Sequence, residues 1–142
     1  SMVLTKGDKM VLTPTYHVFR MYNVHQESTF LPFTCNSKAF TDANGRECPI
    51  VDATASRNSE GNINVTLTNT DLEHSAEITI SIATDGKPSI CGEILTSENI
   101  SDYNDFDSPS KVTPVDFKDF KVKDGKITVK MPAKSIVNLC IR

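Results

Sequence analysis

Between residues 62 and 68 apolar and polar positions alternate strictly, Ile63, Val65 and Leu67 against Asn62, Asn64, Thr66 and Thr68. The same period of two recurs in Ile78, Ile80 and Ile82 against Glu77, Thr79 and Ser81, and in Ile127, Val129 and Met131 against Lys126, Thr128 and Lys130. Such alternation predicts antiparallel strands with one face in the core and one in water. Asn69 to Ser75, between the first two strands, has the length of a hairpin loop. Asp124-Gly125 tolerates the positive φ of a two-residue type I′ turn, which pairs 117–123 with 126–131. Val137, Leu139 and Ile141 form a last strand, and weaker patterns mark 29–34, 49–57 and 89–96. One segment breaks this period. Thr13-Pro14 offers an N-cap and a first-turn proline, and Val18, Met21, Tyr22 and His25 follow at i, i+3, i+4 and i+7. The spacing predicts a helix over 14–25 with one apolar stripe. Seven or eight strands and a single helix imply a mainly β, antiparallel β-sandwich, jelly-roll-like in class.

Composition agrees. Val, Ile and Thr number 11, 11 and 15, against 7 Leu and 7 Ala, and β-branched residues suit a pleated surface. The chain has 142 residues, the length of one domain. A net charge of −3 offers no basic patch for nucleic acid. No apolar run nears the ~18 residues of a membrane span. With no Trp and three Tyr, two of them on the helix, a stacking platform for sugar rings starts at a disadvantage. Residues 1–13 read as an extended tail, with Ser1-Met2 resembling a tag-cleavage remnant. The opening SMVLTKGDKM lacks the basic and apolar regions of a signal peptide.

Few residues suggest chemistry. Cys35, Cys48, Cys91 and Cys140 have neither CxxC spacing nor histidines at zinc-ligand intervals, so no metal or cofactor is expected. Cys91 and Cys140 fall in apolar strand patterns and read as small buried hydrophobes. Asp102, Asp105 and Asp107 cluster in 99–114, the longest segment without periodicity. Counted as an EF-hand loop from Asp102, position 5 is Phe106 and position 6 is Asp107, so the match fails and a solvated acidic loop is expected. Phe106, between two aspartates, would need a partner surface if exposed. Retaining glycoside cleavage needs two carboxylates ~5 Å apart in a cleft. Glu93, in a strand beside Cys91, is the glutamate least readily assigned to solvent. His17 and His74 are scattered, and His25 on the stripe reads as a packing histidine. GxSxG, HExxH, P-loop and GxGxxG motifs are absent.

The helix segment MVLTPTYHVFRMYNVHQ (residues 10–26) closely resembles the last barrel helix of α-L-arabinofuranosidases of glycoside hydrolase family 51. The likeness continues through Asn69-Thr70-Asp71-Leu72 and Gly92-Glu93-Ile94-Leu95-Thr96. It ends in DFDSP (105–109) with Val112 and Pro114, and MPAKSIVNLCI (131–141). DFDSP departs from the NTFDNP-like run more usual in that family.

The resemblance implies a final barrel-type helix over 14–26 and a C-terminal β-sandwich over 27–142. Both would belong to an enzyme whose (β/α)₈ barrel holds both catalytic glutamates upstream. The chain itself is then expected to be inactive, with no catalytic residue. The whole enzyme would remove terminal α-L-arabinofuranosyl residues, with retention, from arabinan, arabinoxylan and oligosaccharides. The expected partner is the barrel of the same chain, and arabinose-containing glycans are met only through it; compartment stays open because the true N-terminus is absent. Val18, Met21, Tyr22 and Phe106 are the candidate barrel-contact residues. Without a barrel the stripe must fold onto the sandwich, pack on a second copy in self-association, or stay exposed. The alternative functions are an accessory carbohydrate-binding module and a free-standing interaction domain.

Overall fold

The computed structural model describes residues 1–83 and 88–142. The elements run β1 (Val3–Lys6), β2 (Lys9–Leu12), α1 (Pro14–Tyr22), a 3₁₀ turn (Asn23–His25), β3 (Thr29–Phe30), β4 (Ala39–Thr41) and β5 (Glu47–Pro49). They continue with β6 (Val51–Arg57), β7 (Ile63–Asn69), β8 (Ala76–Ser81), β9 (Ile90–Thr96), β10 (Val115–Asp116), β11 (Phe120–Lys123), β12 (Lys126–Met131) and β13 (Ser135–Ile141). A six-stranded antiparallel sheet, β10-β9-β13-β7-β6-β3, faces a three-stranded one, β11-β12-β8. Val65, Leu67, Val137 and Leu139 from the first sheet meet Ile127, Val129 and Met131 from the second in one core. The chain is thus the mainly β sandwich that its alternating pattern implies.

Local chemistry accounts for the elements that were read. Thr13 caps α1 by accepting the Tyr16 N–H, Pro14 holds the first position, and the 3₁₀ turn carries the helical stripe on to His25. Asp124 and Gly125 have φ of 51° and 71°, and the β11–β12 register closes on Lys123↔Lys126 as a two-residue turn requires. Gly92 has a different reason to be glycine. A Cβ there would lie 2.8 Å from the carbonyl oxygen of Phe117, just past the end of β10, which pairs with β9.

Four expectations change. Residues 1–13 are not a tail: β1 and β2 pair from Val3↔Leu12 to Lys6↔Lys9, with Gly7 at φ 61° in the turn. Second, β7 and β8 do not form a hairpin but belong to different sheets. The buried Asn69 makes that corner, donating to the carbonyls of His74 and Pro132. Third, the polar face of β7 is not in water. Asn64 and Thr66 are 4% and 0% exposed, and His25 of the 3₁₀ turn bonds the Thr66 hydroxyl. Finally, Cys91 is exposed and Cys140 half-buried, while Cys35 is exposed and Cys48 half-buried, all with free thiols. None of the four is the buried hydrophobe expected of Cys91 and Cys140.

Of the three fates open to the helical stripe, the structure shows the first. Met21 is fully buried against Leu95 and Val112, with Val18 and Ile136 around them. Truncating Met21 leaves a cavity between helix and sheet. Met21→Ala is expected to cost about 2–5 kcal/mol, read as a lower midpoint in urea denaturation.

Candidate functional site

The covered outer face of the six-stranded sheet carries the densest constellation of polar side chains. Because side chains alternate, Ser56, Asn64, Thr66, Thr68, Glu93, Leu95, Ile136 and Asn138 all point away from the core. Helix α1 and the 3₁₀ turn reach Ser56, Thr66, Thr68, Glu93, Leu95, Ile136 and Asn138 among them. His25 Nδ1 lies 2.7 Å from the Ser56 hydroxyl and Nε2 lies 2.8 Å from that of Thr66. Thr66 in turn donates to Asn138 Oδ1 at 3.4 Å, and Asn138 Nδ2 donates to the Met21 carbonyl at 3.1 Å. Since the Thr66 proton is committed to Asn138, His25 must donate from Nε2, and Nδ1 accepts from Ser56. Four hydrogen bonds therefore run in one direction from β6 to the last turn of α1. Tyr22 adds a 3.1 Å hydrogen bond to Thr68.

Charge follows the same seam. Arg20 on α1 forms a 2.5 Å ion pair with Glu93 on β9. The glutamate singled out in the sequence is therefore engaged by a cation. His17 is buried with neither ring nitrogen bonded. Burial pushes its pKa down, the nearby Arg20 guanidinium adds to this, and Glu93 opposes it. Burial alone pushes His25 down.

The long loop is pinned rather than free. Asn104, 1% exposed, donates to the carbonyls of Leu12 and Val112 and accepts from the Val112 N–H. It ties the loop to the residue just before the helix cap. Asp102 bonds Ser97 and, at 2.7 Å, Lys111. These contacts, that of Lys111 first, hold its carboxyl down at about 2. Asp105 accepts from the backbone N–H groups of Asp107 and Ser108. The acidic cluster is thus bound into its own loop, and no group of three or more metal-ligating side chains converges among the described residues.

The four candidate contact residues separate accordingly. Met21 has no surface left for another domain, Val18 packs beside it, and Tyr22 is bonded to Thr68. Phe106 is half-buried. The outward side of α1 instead presents Phe19, 64% exposed, and β2 presents Met10, 65% exposed. Neither was singled out in the sequence, although Phe19 lies two residues from Met21 and so on the opposite side of the helix. Two hollows remain. One, of about 390 Å³, lies between Leu72, Ile100 and Ile136, and Asp102 is its one lining carboxylate. A cleft of about 680 Å³ opens between the sheets among Ile78, Ile80, Ala53 and Phe33, with Glu77 its one carboxylate.

Residues 1–135 match the family model of the α-L-arabinofuranosidase C-terminal domain. The match begins within the segment set aside as tail. The chain is 46% identical over 139 residues to an intracellular exo-α-L-arabinofuranosidase of Bacteroides ovatus, covering 98% of this chain and 27% of that protein. Its fold superposes on a family 51 arabinofuranosidase from Xanthomonas axonopodis pv. citri with a TM-score of 0.89 and 38% identity, over 99% of this chain and 28% of that one. A family 51 α-L-arabinofuranosidase from Bifidobacterium longum shares the fold at a TM-score of 0.87 and 16% identity, over 100% of this chain and 28% of its own. The chain thus spans just over a quarter of the length of the relatives it matches.

Burial, the largest cause for both, lowers the pKa of His17 and His25 in the folded chain below the ordinary 6.5. The unfolded chain binds their protons first, so stability is complete above about pH 6.5 and falls as pH drops below it. Thermal unfolding across pH 5–8 should show this slope, and His25→Gln should flatten part of it. At pH 7.5 His25→Ala leaves the Ser56 and Thr66 hydroxyls short of a partner and should cost about 1–3 kcal/mol.

Proposed function

This chain belongs to the α-L-arabinofuranosidase C-terminal domain family, and from that membership we propose that it is the non-catalytic sandwich of a longer glycoside hydrolase, buttressing a catalytic barrel. The observation that carries this reading is the seating of α1. Its inner side is committed to the sheet through Met21, Tyr22 and the His25 relay, so helix and sandwich form one body. Its outer side leaves Phe19 exposed, and the β1–β2 hairpin leaves Met10 exposed. A helix anchored on one side and carrying an exposed aromatic on the other is placed to join two layers. Phe19, Met10 and the half-buried Phe106 are the residues proposed to touch the barrel.

Absence of catalysis in this chain is supported by the carboxylates. Retaining cleavage requires two flanking one bond, and each hollow is lined by a single one. Glu93 is paired with Arg20 and Asp102 with Lys111. The whole enzyme would release terminal arabinofuranosyl residues from arabinan, arabinoxylan and their oligosaccharides, and this domain would meet glycan only through it.

The test joins two measurements. The isolated chain should release no arabinose from an aryl arabinofuranoside, and titration with arabino-oligosaccharides should give no saturable heat. In the full-length enzyme, Phe19→Asp should lower the unfolding midpoint and yield, because a charge in an apolar interface costs several kcal/mol. Saturable oligosaccharide binding by the isolated chain would favour a carbohydrate-binding module. An unchanged full-length Phe19→Asp enzyme would remove α1 from the interface.

A further inference from the structure

Strands β9 and β13 set two cysteines opposite each other. The register that pairs Ser135 with Thr96 at one end brings Cys140 directly across from Cys91 near the other. Both alternate with core-facing neighbours, Cys140 between Leu139 and Ile141 and Cys91 beside Ile90, so both sulfurs lie on the outer face. Two residues along the same register, Arg142 and Ser89 exchange N–H···O bonds of 2.9 and 3.0 Å. Cys140 and Cys91 therefore occupy a pair of the same closely bonded kind, with Cα atoms ~5.5 Å apart. Natural disulfides span Cα separations of about 4.4–6.8 Å.

We propose that Cys91 and Cys140 form a redox-active dithiol that closes to a cross-strand disulfide by exchange with small-molecule disulfides.

Their unequal exposure divides the work. Cys91 is exposed and meets the oxidant; Cys140, half-buried beside it, resolves the intermediate. Cys91 loses its proton and its sulfur attacks one sulfur of the small disulfide. That S–S bond breaks, and the first small thiol leaves carrying a proton. The Cys140 sulfur then attacks the Cys91 sulfur of the mixed disulfide, and the second small thiol leaves with the second proton. The protein loses two hydrogens and the oxidant gains them. Cys35 and Cys48 have no such arrangement, since Cys48 faces Phe40 across its ladder. The proposal stands independently of whether the domain docks on a barrel.

The experiment uses the chain with Cys35→Ser and Cys48→Ser, incubated with oxidised glutathione and followed by intact-mass and peptide mass spectrometry. The expected product is lighter by two hydrogens, with peptides containing Cys91 and Cys140 linked. Adding Cys140→Ser should instead trap a stable glutathione adduct on Cys91. A trivalent arsenical, phenylarsine oxide, should bind one to one, be released by a dithiol but not by a monothiol, and fail on either single cysteine variant. Circular dichroism of the serine variants should be unchanged. A glutathione adduct persisting on Cys91 while Cys140 stays free would overturn the proposal. Thiols that resist both reagents in the folded chain would also overturn it.

Discussion

A sheet face that carries serine, asparagine and threonine cannot be covered by a purely apolar helix without leaving those groups unpaired. The chain meets this constraint with a histidine at the end of the helical stripe. His25 is the one side chain of α1 and its 3₁₀ extension that both accepts from β6 and donates to β7. Its orientation fixes the direction of the next two bonds, through Asn138 to the Met21 carbonyl. Apolar packing at Met21, Leu95 and Val112 supplies attraction at the other end of the same seam. The two halves have different jobs. Dispersion and desolvation hold the helix down, while the hydrogen bonds fix its rotation and position, since a shifted helix would strand Thr66 and Ser56.

The strands and the helix were legible because each is dictated locally. Thr13-Pro14 starts the helix and Asp124-Gly125 turns the hairpin wherever the rest of the chain lies. The destination of a face is not local. Asn64 and Thr66 alternate with Ile63, Val65 and Leu67 as any solvated strand face does, and only tertiary contacts, such as that of His25 with Thr66, bury them. For the same reason Asn69 to Ser75 looked like a hairpin loop. Its length permits a hairpin, but Asn69 bonds to the carbonyl of Pro132, sixty-three residues away, and sends the chain to the other sheet. The apolar strand context of Cys91 likewise hid its exposure.

The candidate site was legible in part. The stripe Val18, Met21 and Tyr22 was expected to contact a barrel, and within the chain it packs on the sandwich itself. Phe19 was missed because a single aromatic on the polar side of a short helix carries no periodic signal. Glu93 drew notice as a carboxylate in a strand. Its counter-ion Arg20 lies seventy-three residues earlier, and only the docking of α1 brings the two together.

Asn104 alters how the segment after β9 behaves as a polymer. One amide, bonded to the chain ahead of the helix and to Val112, cuts a long excursion into two short ones with fixed ends. The entropy of closing a loop grows only with the logarithm of its length. Extra residues inserted around Ser108 to Ser110 would therefore lengthen one half at small cost and leave the other half unmoved. The fold carries there a position where its outline can change while the start of the helix keeps its place.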